Sequence, residues 1–367
     1  MKTGTGRTVA ALVPALLLLV PGVILGYGYL DALSGGTPLP GIHPNSLGLG
    51  GARAIGFGDA ASIFLNPADL YRLPGSSYTI AIGGAVSREV VTDSLGKTRI
   101  DNLALGNLMA AFKLQPSPQL AIGAGVARIT DASYEATVYV YETEPPDIGK
   151  ILADTMALST GGLYEAAGSV AYRLSGWLNA GFSAGLRFGG ADVDYEYTDR
   201  EEPENDSTWT ESWEDNAFCW HAGLMLPLDM TSIGISYASG SDYYDDRIAA
   251  GAVFYTDASN QGAIGIEAQL SSLGDEPDFT ARITGRFSPE GSLRFRGGLF
   301  FRDSSEDAVG SEIGFAVGTS VAFGRFSLDG AFSTSTRKTE GYSFGYANID
   351  DLKNVNSLFS IGLSYNP

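Results

Sequence analysis

From Tyr78 onward, apolar and polar residues alternate along the chain with a period of two. Leu178, Ala180, Phe182, Ala184, Leu186 and Phe188 share one face of a strand, and Asn179, Gly181, Ser183, Gly185 and Arg187 share the other. Ile264, Ile266, Ala268 and Leu270 oppose Gly265, Glu267 and Gln269 in the same way. Phe279, Ala281, Ile283, Gly285 and Phe287 oppose Thr280, Arg282, Thr284 and Arg286. Successive side chains of a strand point to opposite faces, so each segment is apolar on one side only. A soluble sandwich, with its apolar face inward, and a membrane barrel, with its apolar face outward, both give this pattern.

The connections separate the two. The alternation predicts strands near 78–91, 103–114, 119–131, 161–174, 177–197, 213–227, 231–243, 247–256, 261–271, 278–288, 292–302, 310–323, 325–336 and 354–365. Between them, short links at 115–118, 175–176, 228–230, 257–260, 289–291 and Gly324 take turns with mostly longer, acidic ones such as 132–160, 198–212 and 337–353. An up-and-down membrane barrel sorts its links this way, with tight turns on the periplasmic rim. A Greek-key sandwich has no reason to. In a bilayer every backbone polar group needs a partner within the protein, which a closed barrel supplies. The fold class expected is therefore all-β: a transmembrane antiparallel β-barrel of about fourteen strands with an N-terminal plug segment.

Aromatic residues near strand ends, Trp177, Tyr237, Tyr255 and Tyr365, suit an interfacial girdle. The last strand, Phe359, Ile361, Leu363 and Tyr365 against Ser360, Gly362 and Ser364, resembles the C-terminal signal read by barrel-assembly machinery; Asn366 and Pro367 extend past it. At the other end, Lys2 and Arg7 precede an apolar run from Val9 to Leu25 that Pro14 and Pro21 interrupt. This reads as a signal peptide over 1–26, with a retained membrane helix as the alternative. The expected organisation is signal 1–26, periplasmic or plug segment 27–77, and barrel 78–367.

Charge narrows the function. The formal net charge of −19, with only 23 Lys and Arg, leaves no basic footprint for nucleic acid. The single Cys219 and the two histidines, His43 and His221, leave no multi-cysteine metal site and imply no cofactor. A lone His221 beside Trp220, on a face shared with Cys219, is no basis for an enzyme.

Ahead of the first strand, residues 48–61 read Gly-Leu-Gly-Gly-Ala-Arg-Ala-Ile-Gly-Phe-Gly-Asp-Ala-Ala, and 66–70 read Asn-Pro-Ala-Asp-Leu. This stretch resembles the start of FadL-type outer-membrane transporters of hydrophobic compounds, and of the related PorV-like barrels. Gly51, Arg53, Ala54, Gly56, Gly58, Asp59 and Ala60 match the Gly-rich part, and Asn66, Pro67, Ala68 and Leu70 the second motif. The spacer between them, Ala61 to Leu65, is shorter than those families carry. The resemblance implies a plug inside the barrel and passive uptake of hydrophobic or amphipathic small molecules such as long-chain fatty acids. Its alternative implication is a partner or shuttle in protein secretion. Either places the chain in the cell outer membrane, with lipid and lipopolysaccharide around it. Physically, Gly56 and Gly58 permit tight bends in a narrow lumen, and Asn66-Pro67 reads as a turn.

Four arginines, Arg282, Arg286, Arg294 and Arg296, fall on the predicted lumen face. Cations across a hairpin repel unless an anion lies between them. Plug acids such as Asp31, Asp59 or Asp69 would serve, as would the carboxylate of an amphipathic ligand. Ile148, Ile151, Leu152 and Met156 have near-helical spacing within 147–158, which predicts a loop helix over the barrel mouth. The acidic run 201–206, with Glu211, Glu214 and Asp215, lacks EF-hand spacing and reads as a solvated loop bridged to lipopolysaccharide by divalent ions.

Overall fold

A computed structural model describes residues 37–367 apart from 57–58, 73–74, 94–95, 142–149, 257–260, 274–276, 291, 305–309 and 345–346. The predicted signal over 1–26 lies outside the described residues. Fourteen antiparallel strands close into one barrel, the number expected. In chain order they are β1 (Ser77–Asp93), β2 (Gly96–Ser117), β3 (Leu120–Arg128), β4 (Ile151–Ser175), β5 (Leu178–Asp199), β6 (Ser207–Pro227) and β7 (Thr231–Ala238). The second half comprises β8 (Arg247–Tyr255), β9 (Gly262–Ser271), β10 (Asp278–Glu290), β11 (Leu293–Asp303), β12 (Glu312–Phe323), β13 (Phe326–Phe344) and β14 (Ala347–Tyr365). Each pairs with its neighbours in the chain, and β14 closes the ring on β1 through a register that runs from Tyr365↔Tyr78 to Asp351↔Thr92.

The faces are inverted relative to a soluble protein. On β9 and β10, Ile264 is 54% exposed and Ile283 58%, while Glu267 and Arg282 are 4% and 7% exposed. Apolar side chains cover the outside and polar ones line the lumen, which excludes the sandwich and matches a barrel that meets hydrocarbon.

Three sequence expectations change. The outer links at 132–160, 198–212 and 337–353 are largely strand: β4 starts at Ile151, β5 reaches Asp199, and β13 and β14 run to Phe344 and from Ala347. Polar pairs such as Thr210 Oγ1 to Asp194 and Ser212 Oγ to Asp192, both 2.7 Å, carry the β5–β6 sheet beyond the apolar band. The loop helix is absent, because Ala153, Thr155 and Ala157 are buried while Leu152, Asp154 and Met156 between them are half-buried. Period two fits that stretch and Ile151, Leu152 and Met156 belong to β4; Ile148 lies outside the described residues. Tyr255 is not part of a girdle: it points inward, with its hydroxyl 3.2 Å from Ser232 and the Arg72 guanidinium over its ring.

Candidate functional site

The segment from Thr37 to the start of β1 lies within the barrel. Its short elements, α1 (Pro44–Leu47) and two 3-10 turns at Ala60–Phe64 and Pro67–Tyr71, are capped by their own side chains. Ile42, Ile63, Phe64 and Leu70 pack with Ala81, Met109, Ala121 and Ala171 of the wall.

The wall holds the segment chiefly by its backbone. Glu267 of β9 accepts N–H bonds from Arg53 (2.9 and 3.0 Å), Ala54 (2.8 Å) and Ile55 (3.2 Å). Arg282, opposite it on β10, pairs with the same carboxylate at 3.0 Å and donates from Nε to the Gly50 carbonyl at 3.0 Å. A carboxylate with several backbone donors and an arginine is a well-satisfied buried charge. Gly51 donates its N–H to the Ser46 carbonyl, and the Gly56 carbonyl accepts from Arg72. Gly58 lies outside the described residues.

The Asn-Pro-Ala motif is a docked turn. Asn66 caps Pro67–Tyr71 by accepting from the Ala68 N–H at 3.1 Å, and its amide donates to the Ala54 carbonyl at 2.8 Å. Opposite the turn stand two register partners, Gly181 of β5 and Gly223 of β6. A Cβ at Gly181 would meet Ala68 N at 2.3 Å, and one at Gly223 would meet Asn66 Oδ1 at 1.9 Å. The wall is thinned to backbone where the motif seats.

Asp59 caps the first 3-10 turn through the Ala61 N–H (2.9 Å), accepts from Asn45 (2.7 Å) and lies 3.2 Å from His43 Nδ1. Burial pushes its carboxyl up, but His43, the bonds from His43 and Asn45, and the more distant Arg296 together hold it at about 2.

The four arginines do not act as one cluster. Arg282 grips the segment, while Arg296 pairs with Asp329 of β13 at 3.6 Å. Arg286 stands directly opposite Arg296 in the β10–β11 register, and Arg294, nearer the turn, is exposed. The ion-pair partners of Arg282 and Arg296 come from the wall, while the segment's Asp59 faces Arg296 from farther off and its Asp69 faces Arg286; Asp31 lies outside the described residues. Glu267 and Asp329 were visible as polar positions in alternating strands, but nothing in alternation says which polar residue meets a plug.

A small chamber is lined by Leu39, Pro40 and Phe300 together with Arg53, Arg247 and Arg302. Arg302 pairs with Glu312 at 3.6 Å, whereas among the described residues Arg53 and Arg247 form no ion pair. Tyr244, on the inward-folded link after β7, lies between the guanidinium groups of Arg187 and Arg247, each 4.1 Å from its ring centre. Arg187 also pairs with Glu165, which binds His221, so that histidine is part of a buried charge network.

Beside the chamber the wall is broken. β3 ends at Arg128, and the chain turns inward so that Thr130 and Asp131 pair with Pro38 and Thr37. Leu39 N–H donates to the Ile129 carbonyl at 2.9 Å. Among the described residues the continuation, Tyr134–Tyr141, pairs with β4 alone. Pairing between β2 and β3 stops at Met109↔Ala127, so among the described residues the outer half of β2 has a ladder partner only in β1. Side chains span the gap: Tyr134 Oη donates to Glu89 at 3.0 Å, and Asn102 Oδ1 accepts from the Glu135 N–H at 2.6 Å.

No protein-family model and no curated protein matches the sequence. Solved structures do match its fold. The P. putida toluene transporter TodX superposes with a TM-score of 0.69 at 12% identity, over 90% of this chain and 99% of that one. A Pseudomonas aeruginosa FadL homologue gives 0.68 at 12% identity, over 90% and 99%. The Ralstonia pickettii toluene transporter TbuX gives 0.58 at 14% identity, over 89% and 99%. These neighbours are FadL-family transporters of hydrophobic compounds, and at such identities the likeness is one of fold. They lend no support to the PorV-like alternative.

Proposed function

We propose that this protein is an outer-membrane channel through which hydrophobic or amphipathic small molecules enter by diffusion, without energy coupling. The observation that carries the reading is the broken third strand. The lumen is blocked below by a segment fixed to Glu267 and Arg282, while the wall beside the chamber lacks its β2–β3 ladder. A molecule that reaches the chamber therefore has a sideways route into the bilayer that does not require the segment to move. Such a route suits a solute that prefers hydrocarbon to water. The fold-level likeness to toluene and FadL-type transporters supports the same class.

Within that class the chamber favours an amphipath with a carboxylate, such as a long-chain fatty acid, over a neutral hydrocarbon. Arg53 and Arg247 are buried and, among the described residues, form no ion pair, so an anion between them relieves their repulsion. The test is uptake into liposomes holding the purified protein, with oleate, toluene and glucose as solutes. Oleate and toluene should equilibrate faster than in protein-free liposomes, with oleate sensitive to Arg247→Gln. Glucose passing as quickly as oleate would identify an ordinary aqueous pore and sink the reading.

A further inference from the structure

Three rungs of buried side chains follow one another along the lumen face of β8 to β11. The first is the Glu267–Arg282 pair that holds the segment. The next inward position on each strand brings Gln269 of β9 directly opposite Thr280 of β10. Ala249 of β8 flanks Gln269, and Arg302 of β11 flanks Thr280. The third rung, farther from the short-turn rim, pairs Ser271 of β9 with Arg247 of β8. Gln269, Thr280, Arg302 and Arg247 all line the chamber.

The middle rung differs from its neighbours in how its polar atoms are satisfied. Gln269 and Thr280 are each 2% exposed. Among the described residues, neither Gln269 Oε1 nor Thr280 Oγ1 has a hydrogen-bond partner. The Gln269 amide nitrogen donates to Ser271 Oγ at 3.4 Å, a long bond. Buried polar atoms without partners are costly, and here two of them face each other across one rung. A hydroxyl suits the pair because it donates and accepts at once. It serves the Gln269 amide in either orientation of its oxygen and nitrogen. A methylene serves neither residue.

The cations fix where that hydroxyl must lie on its carrier. Arg53 and Arg247 are 8% and 4% exposed and, among the described residues, form no ion pair. Arg247 lies two residues along β8 from Ala249, the partner of Gln269, which is about 7 Å of strand. The chamber measures about 50 Å³, and one water needs roughly 10–15 Å³. It therefore holds a head group and its first carbons, not a long chain. Leu39, Phe300 and Leu358 give those carbons an apolar surface.

We propose that the chamber is a head-group site for fatty acids hydroxylated within the first few carbons, such as 3-hydroxy acids. The carboxylate lies between Arg53 and Arg247, and the hydroxyl donates to Gln269 Oε1 while it accepts from Thr280 Oγ1. The site rests on the channel reading above and narrows its substrate from an amphipathic carboxylate to a hydroxylated one.

The experiment is calorimetric titration of the full chain in detergent with 3-hydroxymyristate, myristate and 14-hydroxymyristate. The 3-hydroxy acid should bind about fivefold more tightly than either of the others, the worth of one hydrogen bond. Thr280→Val and Gln269→Leu keep the shape of the rung and should each bring that ratio close to one. Arg247→Gln should weaken myristate and 3-hydroxymyristate by the same factor and preserve the ratio. Thr208→Val, exposed on the outer extension of β6, should also preserve it. Should a rung variant fail to form a heat-modifiable barrel, the three-ligand comparison on the native chain decides. Equal affinity for 3-hydroxymyristate and myristate, or an equal gain from the hydroxyl at carbon 14, overturns the site and leaves the channel reading standing. No binding of any of the three, together with no oleate uptake, removes the channel reading and the site with it.

Discussion

Glu267 and Arg282 are direct register partners on β9 and β10, and their 3.0 Å ion pair is the point at which the barrel grips its N-terminal segment. The carboxylate collects three successive backbone N–H groups, and the guanidinium reaches past it to the Gly50 carbonyl. Glu267→Gln keeps the shape but removes the charge, leaving Arg282 buried without its partner. Breaking one side of a buried pair costs about 3–5 kcal/mol. Hydrogen exchange at residues 50–56 should rise sharply in this variant while β9 and β10 stay protected. Unchanged exchange would mean that the segment is held elsewhere.

The Gly181–Gly223 pair makes a graded prediction. A Cβ at Gly181 would strike backbone atoms of Pro67 and Ala68, whereas one at Gly223 would strike first the Asn66 side-chain oxygen. Side chains give way more readily than backbone. Gly181→Ala should therefore loosen the segment more than Gly223→Ala, within the roughly 1–3 kcal/mol typical of overpacking. Gly168→Ala, with nothing within 4 Å of its Cβ, should be neutral. Protease accessibility of the 66–72 turn ranks the three, and the reverse order would remove the seating argument.

The barrel was legible because a period of two and link lengths sorted by parity are consequences of a membrane wall. The break in that wall was not. Residues 129–133 read Ile-Thr-Asp-Ala-Ser, with no proline or glycine to mark a turn, and what draws them inward is the Leu39 N–H and the Thr37–Pro38 pairing, contacts with residues distant in the chain. The helical reading fails over 151–158 for a related reason: Ile151, Leu152 and Met156 also fit a strand whose small buried residues, Ala153 and Ala157, are weakly hydrophobic markers. Arg282 and Glu267 both read as polar positions of alternating strands, yet nothing in the alternation pairs them, since it gives strands without their cross-strand register.

Asp59 makes acid the weak condition for the segment. Its carboxyl is held at about 2, below the ordinary 3.8. A depressed acid contributes stability that is present above the ordinary value and is lost as pH falls toward the folded one. The difference corresponds to about 2 kcal/mol. Protection of residues 59–64 should hold from pH 7 to 5 and fall below about pH 4. Asp59→Asn should be weaker at neutral pH and show a flatter profile over that range. A variant that keeps the full acid drop would assign it to another group.

The hydrogen bond from Tyr134 to Glu89 ties the inward-turned strand to β1 across the gap, and Glu89 keeps a second donor in Asn354 at 3.2 Å. Tyr134→Phe removes the tie without emptying the site or stranding the carboxylate. One such bond is worth about 1 kcal/mol, or about fivefold in an opening equilibrium. Exchange of the 134–141 amides should rise by about that factor. If the gap is the route of passage and its opening limits the rate, oleate uptake into liposomes should rise in step, with glucose still excluded. Faster exchange with unchanged oleate uptake would separate the gap from the pathway and direct attention back to the segment that blocks the lumen below.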